Sequence, residues 1–256
     1  MNGAIAILKR ETSAYFTTAI GWMLLLMFIF IFGFFFALSV TAFMDYSQQA
    51  AFNPMAAEGL NVNAFVVQGV FGNMAVVMLL VSPGMVMRLL AEDRKQKSME
   101  LLLTSPISSW EIVLGKFLGS MAFVVAMLLA TLPYVAMLYT WGEPDSGVLM
   151  ANYIALLCLS ALLISVNLFL SSFTENQVVA FVIGFGFNLI FWVVGWAGDM
   201  APAGVIQSVL QTAAFGSHYT EMIKGLIRIQ DIVYFLTFIG FSLLATTQRV
   251  EALRWR

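Results

Sequence analysis

Charge is what this sequence has least of. Only 10% of its 256 residues are Asp, Glu, Lys or Arg, 61% are hydrophobic, and the mean hydropathy is +0.91. Soluble globular chains carry roughly a quarter charged residues, so an ordinary soluble enzyme is excluded. Histidine and cysteine are each present once. His218 alone cannot build a multi-histidine metal site or the paired axial ligation of a membrane haem. Cys158 alone cannot close an intrachain disulfide or hold an iron–sulfur cluster. A phosphate-cradling loop is also missing: Gly115-Lys116 is followed by Phe117 and lacks the upstream glycine of a G-x-x-x-x-G-K-[ST] motif. With no paired carboxylates and no nucleophile–histidine pair, the chain reads as non-catalytic, with no cofactor or metal of its own. Twelve basic against 14 acidic residues give a net charge of -2 without a separate basic block, which speaks against a nucleic-acid partner.

What is present is a series of long charge-free stretches. A charge at the bilayer centre costs a few kcal/mol, about 3 on insertion scales, so such stretches delimit membrane spans sharply. Six are apolar throughout: 12–44, 59–87, 117–142, 146–174, 176–198 and 232–248. The first is too long for the apolar core of a signal peptide. The fold class expected is therefore all-α integral membrane, a single domain over 1–256, with spans near 19–44, 63–87, 114–140, 149–172, 176–198 and 231–248. The seventh stretch, 200–220, carries Pro202, Gly204, Gln207, Ser208, Gln211, Thr212, Ser217 and His218 and is discounted as a span. Within it Val205, Ile206, Val209, Leu210 and Ala213 recur at helical spacing. A second short apolar face, Tyr219, Met222, Ile223 and Leu226, follows, with Glu221, Lys224 and Arg228 opposite. Region 199–230 is thus expected to be a pair of short external, re-entrant or interfacial helices.

Six spans put both termini on one side, and ten of the 12 basic residues fall there: Lys9, Arg10, Arg88, Arg94, Lys95, Lys97, Lys116, Arg249, Arg254 and Arg256. Only Lys224 and Arg228 fall opposite. The positive-inside rule makes the termini cytoplasmic, and a chain of this kind is expected in the bacterial cytoplasmic (inner) membrane. Residues 1–18 form an amphipathic interfacial helix, with Ile5, Leu8, Thr12, Tyr15 and Phe16 on one face and Lys9, Arg10 and Glu11 on the other.

The longest cytoplasmic segment, 88–113, is the most specific part of the sequence. A charged helical turn (Glu92, Asp93, Arg94, Lys95, Lys97) leads into Glu100 and the apolar patch Leu101, Leu102, Leu103. A break at Thr104-Ser105-Pro106 follows, and then Ser108-Ser109-Trp110-Glu111, a capping box that starts a new helix. An apolar patch flanked by charge at a membrane surface suits docking of a soluble partner.

The run EDRKQKSMELLLTSPISSWEIVLGKF resembles the loop between the second and third spans of ABC-2 type transporter permeases, and is most similar there to permeases related to the gliding-motility ABC transporter subunit. KRETSAYFTTAIGW near the start and HYTEMIKGLIRIQDIVYFL before the last span match as well, so the resemblance covers nearly the whole chain. It implies that Glu92, Arg94, Lys95 and Lys97 give charged contacts and Glu100, Leu101, Leu102 and Leu103 a coupling helix, docked on an ATP-hydrolysing subunit beside the N-terminal helix. It further implies two ABC ATPase subunits holding ATP and Mg, a homodimer or a heterodimer with a related permease, surrounding membrane lipids, and export of a substrate.

No span shows an interior carboxylate or lysine, which fits an external energy source better than ion coupling. Asn167, Asn188, Ser160 and Ser165 are read as helix–helix hydrogen-bonding residues, and His218 as a hydrogen-bonded structural one. Gly115-x-x-x-Gly119 permits close helix approach, but the pattern is common in apolar sequence. The alternative reading is a membrane anchor that recruits a soluble machine through 88–113 without a transport pathway.

Overall fold

The computed structural model describes residues 2–52, 61–95, 107–202 and 204–254. In chain order these form α1 (Asn2–Thr17), α2 (Ala19–Phe52), a π-helical turn (Asn63–Val67) running into α3 (Gln68–Lys95), α4 (Ser109–Leu129), α5 (Leu132–Trp141), α6 (Ser146–Ser171), α7 (Gln177–Met200), α8 (Val205–Ala213), α9 (Phe215–Ile223) and α10 (Ile229–Arg254). No strand occurs among the described residues. Among the described residues six stretches are long and apolar enough to cross a bilayer: α2, the π-turn with α3, α4 with α5, α6, α7 and α10. The protein is an all-helical multi-pass membrane protein.

Helix α6 is the centre, packed against α3, α4, α7, α9 and α10. It is apolar on all sides and buried along most of its length, from Ala151 to Ser171, as a helix enclosed by others must be. At the periphery α2 exposes Met23, Leu26 and Phe30, and α7 exposes Val178, Val182 and Ile190. In a bilayer such side chains face lipid at no cost.

Four spans depart from the lengths their charge-free stretches suggest, the last of them, α10, running past 248 to Arg254. Helix α2 continues past 44 to Phe52, and α3 past 87 to Lys95, so the charged turn at 92–95 is the helical extension of a span. The third span is two helices with a break at Ala130–Thr131. Pro133 has no N–H to donate and its ring collides with the carbonyl four residues back. Thr131 covers the break: its hydroxyl donates to the Leu128 carbonyl (2.7 Å) and is 2.8 Å from the Tyr153 hydroxyl.

Pro83 lies inside α3 without breaking it, because α7 supplies the missing donor. Proline cannot donate to the Leu79 carbonyl, and Asn188 Nδ2 does so instead at 3.1 Å. Asn188 Nδ2 also donates to Ser82 Oγ (3.3 Å), which accepts from Asn167 Nδ2 (3.1 Å), so α3, α6 and α7 meet at one buried polar node. Ser160 and Ser165 instead donate to carbonyls of their own helix, Leu156 and Leu162. In a bilayer no water would serve the freed carbonyl. Asn188→Leu is therefore expected to cost about 1–3 kcal/mol, measured as a lower apparent Tm in detergent; an unchanged Tm would remove this role.

Candidate functional site: an ionic seat at the termini end

The charged extension of α3, the start of α4, all of α1 and the turn between α6 and α7 gather at one end of the bundle. Helix α4 begins as the sequence indicates, with a capping box. The Glu111 amide donates to Ser108 Oγ (3.2 Å) and the Ser108 amide to Glu111 Oε2 (3.3 Å). The box orients the two turns of α4 that carry Gly115, Lys116 and Gly119.

Helix α1 lies along that part of α4, turned differently from the amphipathic reading. Its buried line is Ile7, Glu11 and Tyr15, which are 4%, 7% and 1% exposed, whereas Ile5 and Phe16 point outward at 48% and 36%. Lys9 and Arg10 stay on the exposed side, but Glu11 does not join them. The inward carboxylate is possible because a cation waits for it. The backbones approach closely at two glycines, where a Cβ on Gly115 would sit 2.7 Å from Ile7 Cβ and 2.9 Å from the Ala4 carbonyl oxygen. A Cβ on Gly119 would sit 2.7 Å from Glu11 Cβ. The G-x-x-x-G pattern is thus the groove that seats α1.

Between these glycines Lys116 is 1% exposed. Its Nζ is 3.0 Å from Glu11 Oε1 and 2.5 Å from Asp93 Oδ2. Arg10 Nη2 closes the cluster, 2.7 Å from Glu11 Oε1 and 3.5 Å from Asp93 Oδ2. Two cations and two carboxylates from α1, α3 and α4 balance one another, as ions withdrawn from water must. Partial burial alone would lower the pKa of Arg10, but the Glu11 bond and the charges of Glu11 and Asp93 outweigh it and leave the pKa raised. Next to the cluster the Tyr15 hydroxyl donates to the Met85 carbonyl (3.1 Å) and lies 3.1 Å from Ser120 Oγ. Its ring stacks on Phe123 at 4.6 Å, and the Arg88 guanidinium lies 4.5 Å from the ring centre. Burial pushes the Tyr15 phenol up to about 12, so it stays a neutral donor at physiological pH.

The expected partner-facing residues fall into three groups. Arg94 is engaged within the chain, donating to the Ser172 carbonyl (2.8 Å) and to Glu175 Oε1 (3.0 Å). Together with Arg249, whose guanidinium lies 5.0 Å from the Phe173 ring centre, it fixes the α6–α7 turn, which has no basic residue of its own. Lys95 is exposed at the end of α3. Glu92 is helical, but its side chain is not among those described, and Lys97, Glu100, Leu101, Leu102 and Leu103 lie outside the described residues. The structure therefore joins Arg10 and Glu11 in one cluster with Asp93, and places Arg94 and Lys95 directly after that aspartate on α3.

Asp93, read only as part of the charged turn, and Lys116, counted only among the basic residues, were not named as site residues from sequence, although a signal existed. Lys116 directly precedes a charge-free stretch and stands at the start of the third expected span, 114–140, where a buried lysine needs a counter-charge. Which carboxylate supplies it is a matter of tertiary packing. Asp93 and Lys116 lie at either end of residues 94–115 in sequence, and the cluster ties them to each other and to α1.

Six long apolar helices with an ionic cluster at one end define the class as an all-helical multi-pass membrane protein. By sequence, residues 5–249 match the ABC-2 family transporter protein model, and the chain belongs to that family. It is also similar to the probable multidrug ABC transporter permease YbhR of Escherichia coli (strain K12), 26% identical over 137 residues, 52% of this chain and 36% of that protein. The YbhR of Escherichia coli O157:H7 matches to the same extent. The chain thus spans about a third of the length of these curated relatives (36%).

Proposed function

We propose that this chain is the membrane-embedded permease subunit of an ATP-driven exporter in the bacterial cytoplasmic membrane, with both termini cytoplasmic. Two partner ATPase subunits, holding ATP and Mg, dock at the 88–113 segment, and a second permease, identical or related, completes the pathway. The observation that carries the reading is the ionic seat. It ties Asp93 and Lys116, which lie at either end of residues 94–115 in sequence, to each other and to α1, as is required if a partner's closure is to move the membrane part as a body. The family match and the excess of basic residues at this end support it. Charge-poor spans are compatible with an apolar or amphiphilic substrate.

The test is affinity purification of the tagged chain in mild detergent, with mass spectrometry of what accompanies it. A stoichiometric ATP-binding subunit is expected. Glu92→Lys and Leu102→Ala should abolish stimulation of ATP turnover while leaving expression and membrane insertion intact. If no ATPase accompanies the chain, the anchor reading replaces this one; if the variants fail to insert, those residues belong to folding.

A further inference from the structure

At the end of the bundle opposite the termini, α7, α8 and α9 enclose a cleft of about 640 Å³. One wall is apolar, formed by Trp192 and Trp196, one turn apart on α7. The opposite wall is polar: Gln211 from α8, Ser217, Thr220 and Glu221 from α9, and Lys224 and Arg228 just beyond it. Glu221 Oε1 accepts from Lys224 Nζ at 2.6 Å, and Glu221 Oε2 lies 2.9 Å from Arg228 Nη2. That bond, with the nearby charges of Lys224 and Arg228, holds the Glu221 carboxyl below its ordinary pKa. The carboxylate positions both cations but neutralises only one, and each cationic side chain is about half exposed (48% and 50%).

These two are the only basic residues in the sequence that fall at this end, against the bias that collects Lys and Arg at the other. The cleft's depth is set by α8, which turns Val205, Ile206 and Val209 outward at 78%, 70% and 59% exposure while its Gln211 faces the cleft. Such a helix lies along a bilayer surface with its apolar side in lipid. Trp196 on the apolar wall is 59% exposed, and tryptophan favours that same level of the membrane. A cation pair with one positive charge left over, polar donors and an apolar wall open toward lipid therefore coincide at headgroup depth.

We infer that this cleft binds a phosphoester anion carried by a membrane amphiphile, with Lys224 and Arg228 on the phosphate and Trp192 and Trp196 against its apolar part. An Arg fork that uses one edge on Glu221 keeps further N–H donors for phosphate oxygens. The site lies at the far end from the ionic seat and is independent of ATPase docking.

The experiment titrates the full chain in uncharged detergent with dihexanoyl phosphatidylglycerol, dihexanoylglycerol and inorganic phosphate, following tryptophan emission. Phosphatidylglycerol is expected to give a saturable change that Trp196→Phe diminishes and dihexanoylglycerol does not give. The double variant Lys224→Gln, Arg228→Gln should weaken binding by at least about tenfold. Glu221→Gln should tighten it, a sign that misfolding would not produce. Equal saturation by inorganic phosphate would keep the anion site and assign it to free phosphate. Equal binding of dihexanoylglycerol, or unchanged binding by the double variant, would overturn the inference.

Discussion

Lys116→Met is expected to destabilise the folded chain by about 3–5 kcal/mol, the cost of stranding buried charge when one partner of an ion cluster is removed. The large value follows from geometry. Lys116 is 1% exposed and lies within 3.0 Å of one carboxylate and 2.5 Å of another. Without it Glu11 and Asp93 face each other with only Arg10 between them, and Arg10 sits 3.5 Å from Asp93. The apparent Tm in detergent should fall by on the order of 10 °C for a chain of this size. The triple variant Glu11→Gln, Asp93→Asn, Lys116→Met should recover most of that loss, because replacing a whole buried ionic group costs far less than removing one member. A Tm that stays low in the triple variant would assign the effect to lost packing of the lysine stem.

Gly115→Leu is the second large effect. Even a Cβ there would stand 2.7 Å from Ile7 Cβ and 2.9 Å from the Ala4 carbonyl oxygen, well inside contact distance, and two of those atoms are backbone or branched carbon that cannot swing aside. Helix α1 must leave its groove, and Glu11 then withdraws from Lys116. Trypsin cleavage after Lys9 and Arg10, which are already on the exposed side of α1, should accelerate by on the order of tenfold as the seated population falls. Gly186→Ala is the control, since nothing lies within 4 Å of a Cβ at that position. Equal cleavage of the wild type and Gly115→Leu would mean that α1 does not depend on the groove.

The spans were legible in the sequence because the bilayer penalises charge so heavily that charge-free length alone marks a crossing. The N-terminal start of α4 was legible because Ser108 and Glu111 need only each other. The helix break ahead of Pro133 and the carriage of Pro83 inside α3 were not, because the same residue type gives opposite outcomes. A donor from another helix, Asn188, rescues the second, and no sequence-local rule supplies such a partner. The face of α1 was misread for a related reason. Periodicity places Glu11 with Lys9 and Arg10 on a wet face, whereas a buried lysine on α4 draws it inward. At the opposite end Leu226, grouped with the apolar face of α9, is 53% exposed, because that helix ends at Ile223 and Gly225 turns the chain at a positive φ of 88°. His218 does hold a hydrogen-bonded place, with Nδ1 2.6 Å from Asp231 Oδ1 and its ring stacked on Tyr234 at 4.0 Å. Its acidic partner opens the last span and could be named only once α9 and α10 were packed.

The decisive measurement is ATP turnover by the chain co-purified with the proposed ATPase subunit, comparing the wild type with the triple variant Glu11→Gln, Asp93→Asn, Lys116→Met. If the ionic seat transmits the partner's motion to α1, α3 and α4, the variant should insert, keep a near-native Tm and retain the ATPase subunit. Its permease-stimulated turnover should nevertheless drop to the unstimulated rate. Full stimulation in the uncharged variant would contradict a coupling role and leave the cluster as a stabilising element of the fold.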